Sequence, residues 1–180
     1  MNKKPIKYVL DTSAILTGKP INLDEAEIVT TNRVVNELNP GGRDYQNFQY
    51  LKEKGLDILT PNKNSVDEIK KISFKTGDIN RLSETDIEVL ALAFELNKND
   101  KFETIILTDD YSIQNVANSL NLKFETINQA GITKRFKWKY RCRGCGKIFE
   151  DNIKICPICG TETKSVVSNQ KAINDRSDKE

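Results

Sequence analysis

The chain has 180 residues, with 28 Lys plus Arg against 26 Asp plus Glu, four cysteines and no histidine. That length suits one domain of ordinary size with a small appendage, and 37% hydrophobic with 30% charged residues excludes a disordered or fibrous class. The missing imidazole excludes Ser–His and Cys–His nucleophiles, histidine-ligated metals and histidine bases, so any chemistry runs on carboxylates, lysines, cysteines or a bound metal.

No run approaches the roughly 18 apolar residues of a membrane span. Met1 to Leu10 lacks the apolar stretch and small-residue cleavage site of a secretory leader, so a cytoplasmic protein without a membrane partner is expected. The near-neutral total hides an uneven distribution. Residues 1–132 hold 16 basic and 20 acidic side chains, whereas residues 133–180 hold 12 and 6. Two modules are expected, the basic one being the better contact for a polyanion.

Taken in order, Tyr8-Val9-Leu10 reads as a short strand ending at Asp11-Thr12-Ser13, with a helical turn at Ala14-Ile15-Leu16 broken by Gly18 and Pro20. Glu27 to Thr30 is a second strand. Thr31 or Asn32 caps a helix bearing Val34, Val35 and Leu38, which Pro40-Gly41-Gly42 stops. Tyr45 to Lys54 is a helix closed by Gly55, and Asp57 to Thr60 a strand. Ser65 to Thr76 is a helix with Val66, Ile69 and Ile72 on one stripe. Ser83 opens the clearest helix, with Ile87, Leu90, Ala91 and Phe94 at three- and four-residue spacing. Thr104 to Leu107 is a buried-type strand ending at Thr108-Asp109-Asp110. A helix carrying Ile113, Val116, Ala117 and Leu120 follows, then a strand at Phe124 to Ile127. Alternating strands and helices predict an α/β fold with a mostly parallel sheet covered on both sides. The expected divisions are a body over residues 1–127, a basic linker or arm over 128–140, a cysteine module over 141–164 and a flexible tail over 165–180, in which Val166-Val167 offers one last strand of the small module.

Cys142-Arg143-Gly144-Cys145 and Cys156-Pro157-Ile158-Cys159 are two C-x-x-C pairs ten residues apart, each followed by glycine. Cys142, Cys145, Cys156 and Cys159 complete a tetrahedral shell for one structural Zn²⁺ and leave no ligand position for a catalytic water. Such an ion would stabilise a module of about 25 residues, too small to build its own core. Two disulfides are disfavoured in a cytoplasmic chain, and neither pair opens a helix as a redox pair would. Lys147-Ile148-Phe149 suggests a strand of a zinc ribbon.

Asp11 and Asp110 each follow an apolar strand, and in a parallel sheet both lie outside the carboxyl ends of the strands. Glu37 borders the apolar stripe of its helix, and Asp86 lies in the first turn of the Ser83 helix. Four carboxylates in one cleft suit Mg²⁺ or Mn²⁺, which can activate water against a phosphodiester. Each acid also has a plainer reading. Asp11 can cap the turn after its strand, Asp86 can complete a Ser-x-x-acid capping box, Asp109 or Asp110 can cap the next helix, and Glu37 can be a solvated helix residue.

Several segments carry a resemblance: Val9-Leu10-Asp11-Thr12-Ser13-Ala14, Val34-Val35-Asn36-Glu37-Leu38, the run Leu82 to Ala93, and Leu107-Thr108-Asp109-Asp110-Tyr111-Ser112-Ile113-Gln114-Asn115-Val116. Over about Tyr8 to Cys159 the chain resembles the PIN-domain nucleases and, more closely, the archaeal Nob1 family, which matures the 3′ end of small-subunit ribosomal RNA. The resemblance implies a PIN-like three-layer fold followed by a small zinc ribbon. It implies Asp11, Glu37, Asp86 and Asp110 as catalytic Mg²⁺ or Mn²⁺ ligands, with Thr12, Ser13, Thr108 and Asp109 in support. The implied reaction is hydrolysis of precursor 16S rRNA near its 3′ end, leaving a 3′-hydroxyl and a 5′-phosphate. The implied partners are that RNA and the small ribosomal subunit, with no DNA.

Lys134, Arg135, Lys137, Lys139, Arg141 and Arg143, interleaved with Phe136, Trp138 and Tyr140, form the best RNA-contact segment. Its period-two alternation also suits a strand with aromatics on one face and cations on the other. In that case Trp138 is as well suited to packing as to stacking on a base. A toxin-like PIN ribonuclease acting on other RNA and a non-catalytic ribosome-assembly factor are the alternative classes.

Overall fold

The computed structural model describes residues 4–17, 26–99, 101–127, 134–151 and 153–172, with backbone alone for 134–138 and 167–172. The body contains β1 (Ile6–Leu10), α1 (Thr12–Thr17), β2 (Ala26–Thr31), α2 (Asn32–Glu37), α3 (Arg43–Glu53), β3 (Asp57–Leu59), α4 (Lys63–Thr76), α5 (Glu84–Asn97), β4 (Glu103–Leu107), α6 (Tyr111–Ser119) and β5 (Lys123–Glu125). Its five strands are all parallel, in the order β3-β2-β1-β4-β5. The order reverses between β1 and β4, and at such a switch point the loops leaving the two strands part and open a crevice.

Successive strand residues point to opposite faces. Val9 and Leu10 are both fully buried, as are Ile106 and, nearly so, Ile105 and Leu107, so helices must cover both faces and the body has three layers. Helix α5 is buried almost all round, through Ile87, Val89, Leu90, Ala91, Leu92 and Ala93. That explains why its sequence shows a thickened apolar band instead of a clean stripe. The helix starts are set by side-chain caps: Thr31 receives the Val34 N–H, Asn62 the Ser65 N–H, Ser83 the Asp86 N–H, and Asp110 the Ser112 N–H. Gly77 ends α4 at φ 81°, a left-handed conformation in which a side chain would be strained.

A second, antiparallel sheet follows, built from β6 (Lys134–Cys142), β7 (Ile148–Phe149) and β8 (Thr163–Ala172) in the order β7-β6-β8. Its strands run beyond the divisions read from sequence. Residues 134–140, placed in a linker or arm although their period-two alternation suits a strand, are strand, and so are residues 165–172 of the expected tail, around Val166-Val167. The polar run of β8 carries little apolar signal, because here its ladder with β6 supplies the order. One irregularity interrupts the register between Lys137 and Trp138.

The two sheets meet at Tyr140. It is buried, and its hydroxyl donates to the Gly77 carbonyl at 3.2 Å, while the Arg81 guanidinium donates to Ser165 Oγ at 3.1 Å. Among the described residues no helix is long and apolar enough to cross a membrane. Truncating the central core should be costly. Leu90→Ala is expected to lower stability by about 2–5 kcal/mol, read as a lower urea midpoint at unchanged slope.

Candidate functional site

At the switch point β1 gives way to Asp11 and β4 to Thr108-Asp109-Asp110. The Asp11 N–H donates to the Leu107 carbonyl at 3.2 Å, and the Thr30 hydroxyl donates to the Leu10 carbonyl at 2.9 Å. Strand pairing and a neighbouring hydroxyl therefore fix the backbone under Asp11. Its carboxylate is 4% exposed. Oδ1 accepts from the Thr12 N–H at 2.7 Å, and Oδ2 accepts from the Ser13 hydroxyl at 2.9 Å and the Thr108 hydroxyl at 2.8 Å. Burial still raises the Asp11 pKa above the ordinary value, and the Asp110 charge pushes the same way.

The other acids are tied to this centre. Thr12 donates its hydroxyl to Glu37 Oε2 at 2.5 Å, joining the start of α1 to the end of α2. Asp86 is the N3 residue of α5; its Oδ2 accepts from the Ser83 N–H at 2.6 Å and completes the capping box. Burial lifts the Asp86 pKa to about 6, with repulsion from Asp11 and Asp110 contributing. Asp110 caps α6, its Oδ1 accepting from the Ser112 N–H at 2.6 Å, and its own N–H donates to Thr108 Oγ1 at 3.0 Å. Asp109 lies differently. Its Oδ1 accepts from the Ile127 N–H at 2.8 Å, beyond β5, while its N–H donates to Ser13 Oγ at 3.1 Å.

Asp11, Asp86 and Asp110 thus act on one another electrostatically, and Glu37 joins through Thr12. The plainer capping readings also hold for Asp86 and Asp110. Two residues left out of the sequence-read site shape it: Ser83, and Gln114, which is fully buried and donates to the Thr108 carbonyl at 3.1 Å. A polar residue on the buried face of α6 was the available signal for Gln114. Among the described residues, the set whose ligand atoms all lie within 4.8 Å of one another is Cys142, Cys145, Cys156 and Cys159; the carboxylates form no group that tight.

Those cysteines are free thiols at the end of the small sheet. Sγ of Cys142 lies 3.3 Å from that of Cys159, and Sγ of Cys145 lies 3.7 Å from that of Cys156. Each knuckle turns through its glycine: Gly146 at φ 73° and Gly160 at φ 71°. The Cys142 N–H donates to Lys147 O and the Cys156 N–H to Thr161 O, both at 2.9 Å, while Gly144 N–H points at Cys142 Sγ at 3.3 Å. Four soft sulfurs drawn together without pairing as disulfides suit a structural Zn²⁺.

Of the basic segment, Lys134, Arg135, Lys137 and Trp138 lie on β6 with side chains outside the described residues. Lys139 pairs with Glu150 at 3.0 Å. Arg141 and Arg143 line a cavity of about 510 Å³ together with Lys164, beside the first knuckle.

A family described as the PIN domain of ribonuclease matches residues 8–96, which gives the class of the body. The chain is 41% identical to "Endoribonuclease Nob1" of Archaeoglobus fulgidus, over 86% of this chain and 87% of that relative. It is 38% identical to "Ribonuclease VapC1" of Thermoplasma acidophilum, over 92% of this chain and 81% of that relative. It is 30% identical to "20S-pre-rRNA D-site endonuclease nob1" of Schizosaccharomyces pombe, over 53% of this chain and 24% of that relative. The chain belongs to the Nob1-like PIN-domain endoribonucleases.

Two measurements follow from the site. Asp86 ionises near 3.9 when unfolded and near 6 when folded. Between those values the folded state holds more protons, so this group's contribution to stability falls as pH rises from about 4 to about 6. With chelator present, Asp86→Asn should gain urea resistance relative to the unchanged protein across that window, and a pH-independent difference would contradict it. Cys142→Ser should drop bound zinc well below one per chain while the circular dichroism of the body persists.

Proposed function

We propose that this chain hydrolyses a phosphodiester of precursor 16S rRNA near its 3′ end, at the switch point of the larger sheet, in the cytoplasm and on the small ribosomal subunit. Support for the site comes foremost from Asp11, a buried carboxylate that three donors orient and that Asp86 and Asp110 crowd. An all-oxygen, mutually repelling donor set fits a hard divalent cation; burial raises the pKa values of Asp11 and Asp86, and repulsion among Asp11, Asp86 and Asp110 adds to it.

In this reading Asp11, Glu37, Asp86 and Asp110 hold Mg²⁺ or Mn²⁺. The bound ion supplies Lewis acidity and a water of lowered pKa. The protein's own part is orientation. Thr108 fixes Asp11 and the turn into α6, Thr12 fixes Glu37, and Ser13 bridges Asp11 to the Asp109 backbone. Hydrolysis at this position leaves a 3′-hydroxyl and a 5′-phosphate. The body takes residues 1–127. The zinc-stabilised sheet, with Lys139, Arg141 and Arg143 and the cations of 134–137, carries RNA toward it.

The substrate assignment draws on the relatives called Nob1 and on the pre-rRNA named for the Schizosaccharomyces protein. A toxin-like ribonuclease acting on other RNA is the second reading, favoured by the relative called VapC1. That alignment spans 166 residues, too many to stop at the end of the five-stranded body, so a ribbon alone does not separate the two.

The test uses a precursor spanning the small-subunit rRNA 3′ junction, alongside an mRNA and a tRNA, with Mg²⁺ or Mn²⁺. Asp11→Asn and Asp110→Asn should each cut at least about 100-fold more slowly than the unchanged protein. Unimpaired cutting by both variants would sink the site. Equal cutting of all three RNAs would favour the toxin-like reading, and specific binding without metal-dependent cutting a non-catalytic assembly factor.

A further inference from the structure

Helix α6 carries two adjacent side-chain amides in its buried stretch. Gln114 is fully buried and Asn115 is 4% exposed, and Ile113 and Val116 on either side are fully buried too. A buried amide is costly unless it is hydrogen-bonded, and an apolar residue at either position would escape that cost. The two amides serve different segments. Gln114 holds the Thr108 carbonyl, in the turn that bonds Asp11 and leads to Asp110. Asn115 donates its Nδ2 to Oδ2 of Asp78 at 2.8 Å. Asp78 is itself only 1% exposed, a buried acid outside the carboxylate site.

Asp78 stands at the head of the segment that leads to Asp86. The backbone there is fixed: the Asp78 and Ile79 N–H groups donate to the Ser73 carbonyl at 2.9 and 3.1 Å, and the Arg81 N–H donates to the Asp78 carbonyl at 2.8 Å. Two residues past Arg81, the Ser83 N–H donates to Asp86 Oδ2 at 2.6 Å, and Ser83 Oγ accepts from the Asp86 N–H at 3.1 Å. The Asp86 carboxylate is therefore oriented by the far end of a short, closed turn whose near end is bonded to α6. Asp86 and Asp110 lie at the starts of two different helices. The Asn115–Asp78 bond ties the entry of one helix to the body of the other.

We infer that Asn115 and Asp78 are positioning residues for the nuclease site: their buried bond sets where Asp86 stands relative to Asp11 and Asp110. This rests on the nuclease reading above and adds two residues that act through others. Misplacing a group at the reacting centre by about 1 Å can cost about 100-fold in rate, even when the altered residue is remote. A link of this kind acts on kcat more than on RNA affinity.

Asn115→Ala should lower kcat on the junction RNA by about 2- to 30-fold, the range by which residues linking two sites alter their coupling. KM should stay within about twofold, because the substitution leaves every RNA-contact candidate in place. Leu51→Ala, which opens a void in the core at α3, should lose at least as much urea resistance and keep kcat within about twofold per folded molecule. Asn115→Asp sets two carboxylates face to face and should lose at least as much kcat as Asn115→Ala. Adding Asp78→Asn restores a donor opposite an acceptor and should recover most of that loss. A further readout does not depend on cutting: Mn²⁺ titrated calorimetrically into the zinc-loaded, RNA-free protein should bind Asn115→Ala at least about threefold more weakly. Asn115→Ser, which leaves a smaller void, carries the same expectations if Asn115→Ala does not fold. Unchanged kcat or Mn²⁺ affinity in these folded variants, an equal kcat loss in Leu51→Ala, or no recovery in the folded double variant would each overturn the inference. Undiminished cutting by Asp11→Asn would overturn the nuclease site instead, so the two failures are distinct.

Discussion

Burying the Asp11 carboxylate at the end of a central strand is the constraint around which this end of the molecule is organised. Taking such a charge out of water costs several kcal/mol, and each hydrogen bond to it returns about 1.5–3 kcal/mol. Three donors, from Thr12, Ser13 and Thr108, offset much of that cost. They do not cancel it: burial, with Asp110 adding to it, still raises the Asp11 pKa. The donors must then be placed, and their placement reaches far. Thr108 needs β4 in register with β1, its carbonyl is gripped by Gln114 of α6, and Ser13 and Thr12 need α1 to begin at once after β1. One anion thus couples two strands and two helices.

Much of this was legible in the sequence, and the reasons are specific. Val9-Leu10 and Ile105-Ile106-Leu107 are continuous apolar runs, which in an alternating α/β chain mean strands buried on both faces. Ser83, three residues before Asp86, spells a capping box, and that box is present. The C-x-x-C pairs announced their cluster through spacing alone. Less legible were contacts made between elements distant in the chain. Nothing local ties Thr12 to Glu37 or Ser13 to the Asp109 backbone; those pairings exist because the sheet order places β1 between β2 and β4. The extent of strand β8 beyond Val166-Val167 was hidden for another reason. Its polar residues lack an apolar period, and its order comes from the backbone ladder with β6 and, farther along, from the cysteine cluster.

The small sheet follows the opposite logic from the body. The body has a large apolar core and uses polar groups locally, at one edge. Among the described residues of the small sheet and its cysteine loops, Ile148, Ile155 and Ile158 are more than half exposed, and four sulfurs and backbone pairing hold the module. Tyr140 is where the two designs join. It lies on β6, two residues before Cys142, and it reaches the carbonyl of Gly77, the residue that ends α4. From Gly77 the chain needs six residues to reach Ser83. Asp78 on that path is buried and receives the Asn115 amide from α6 at 2.8 Å. The loop leading into α5 is therefore held from two sides, by the small sheet and by the helix that starts at Asp110.

That arrangement bears on how Asp86 and Asp110 can be helix caps and still belong to a metal-binding reading. A carboxylate has two oxygens with about four lone-pair sites, and a cap uses one of them. For Asp86 the capping bond runs through Oδ2, and for Asp110 through Oδ1. Each bond fixes the side-chain rotamer while leaving acceptor capacity on the same group. Asp109 shows the contrast: its Oδ1 accepts from the Ile127 N–H, just beyond β5. Capping therefore does not compete with a site at this edge. It stabilises the orientation such a site would need, while burial, with repulsion from Asp11 and Asp110 adding to it, raises the pKa of Asp86 to about 6.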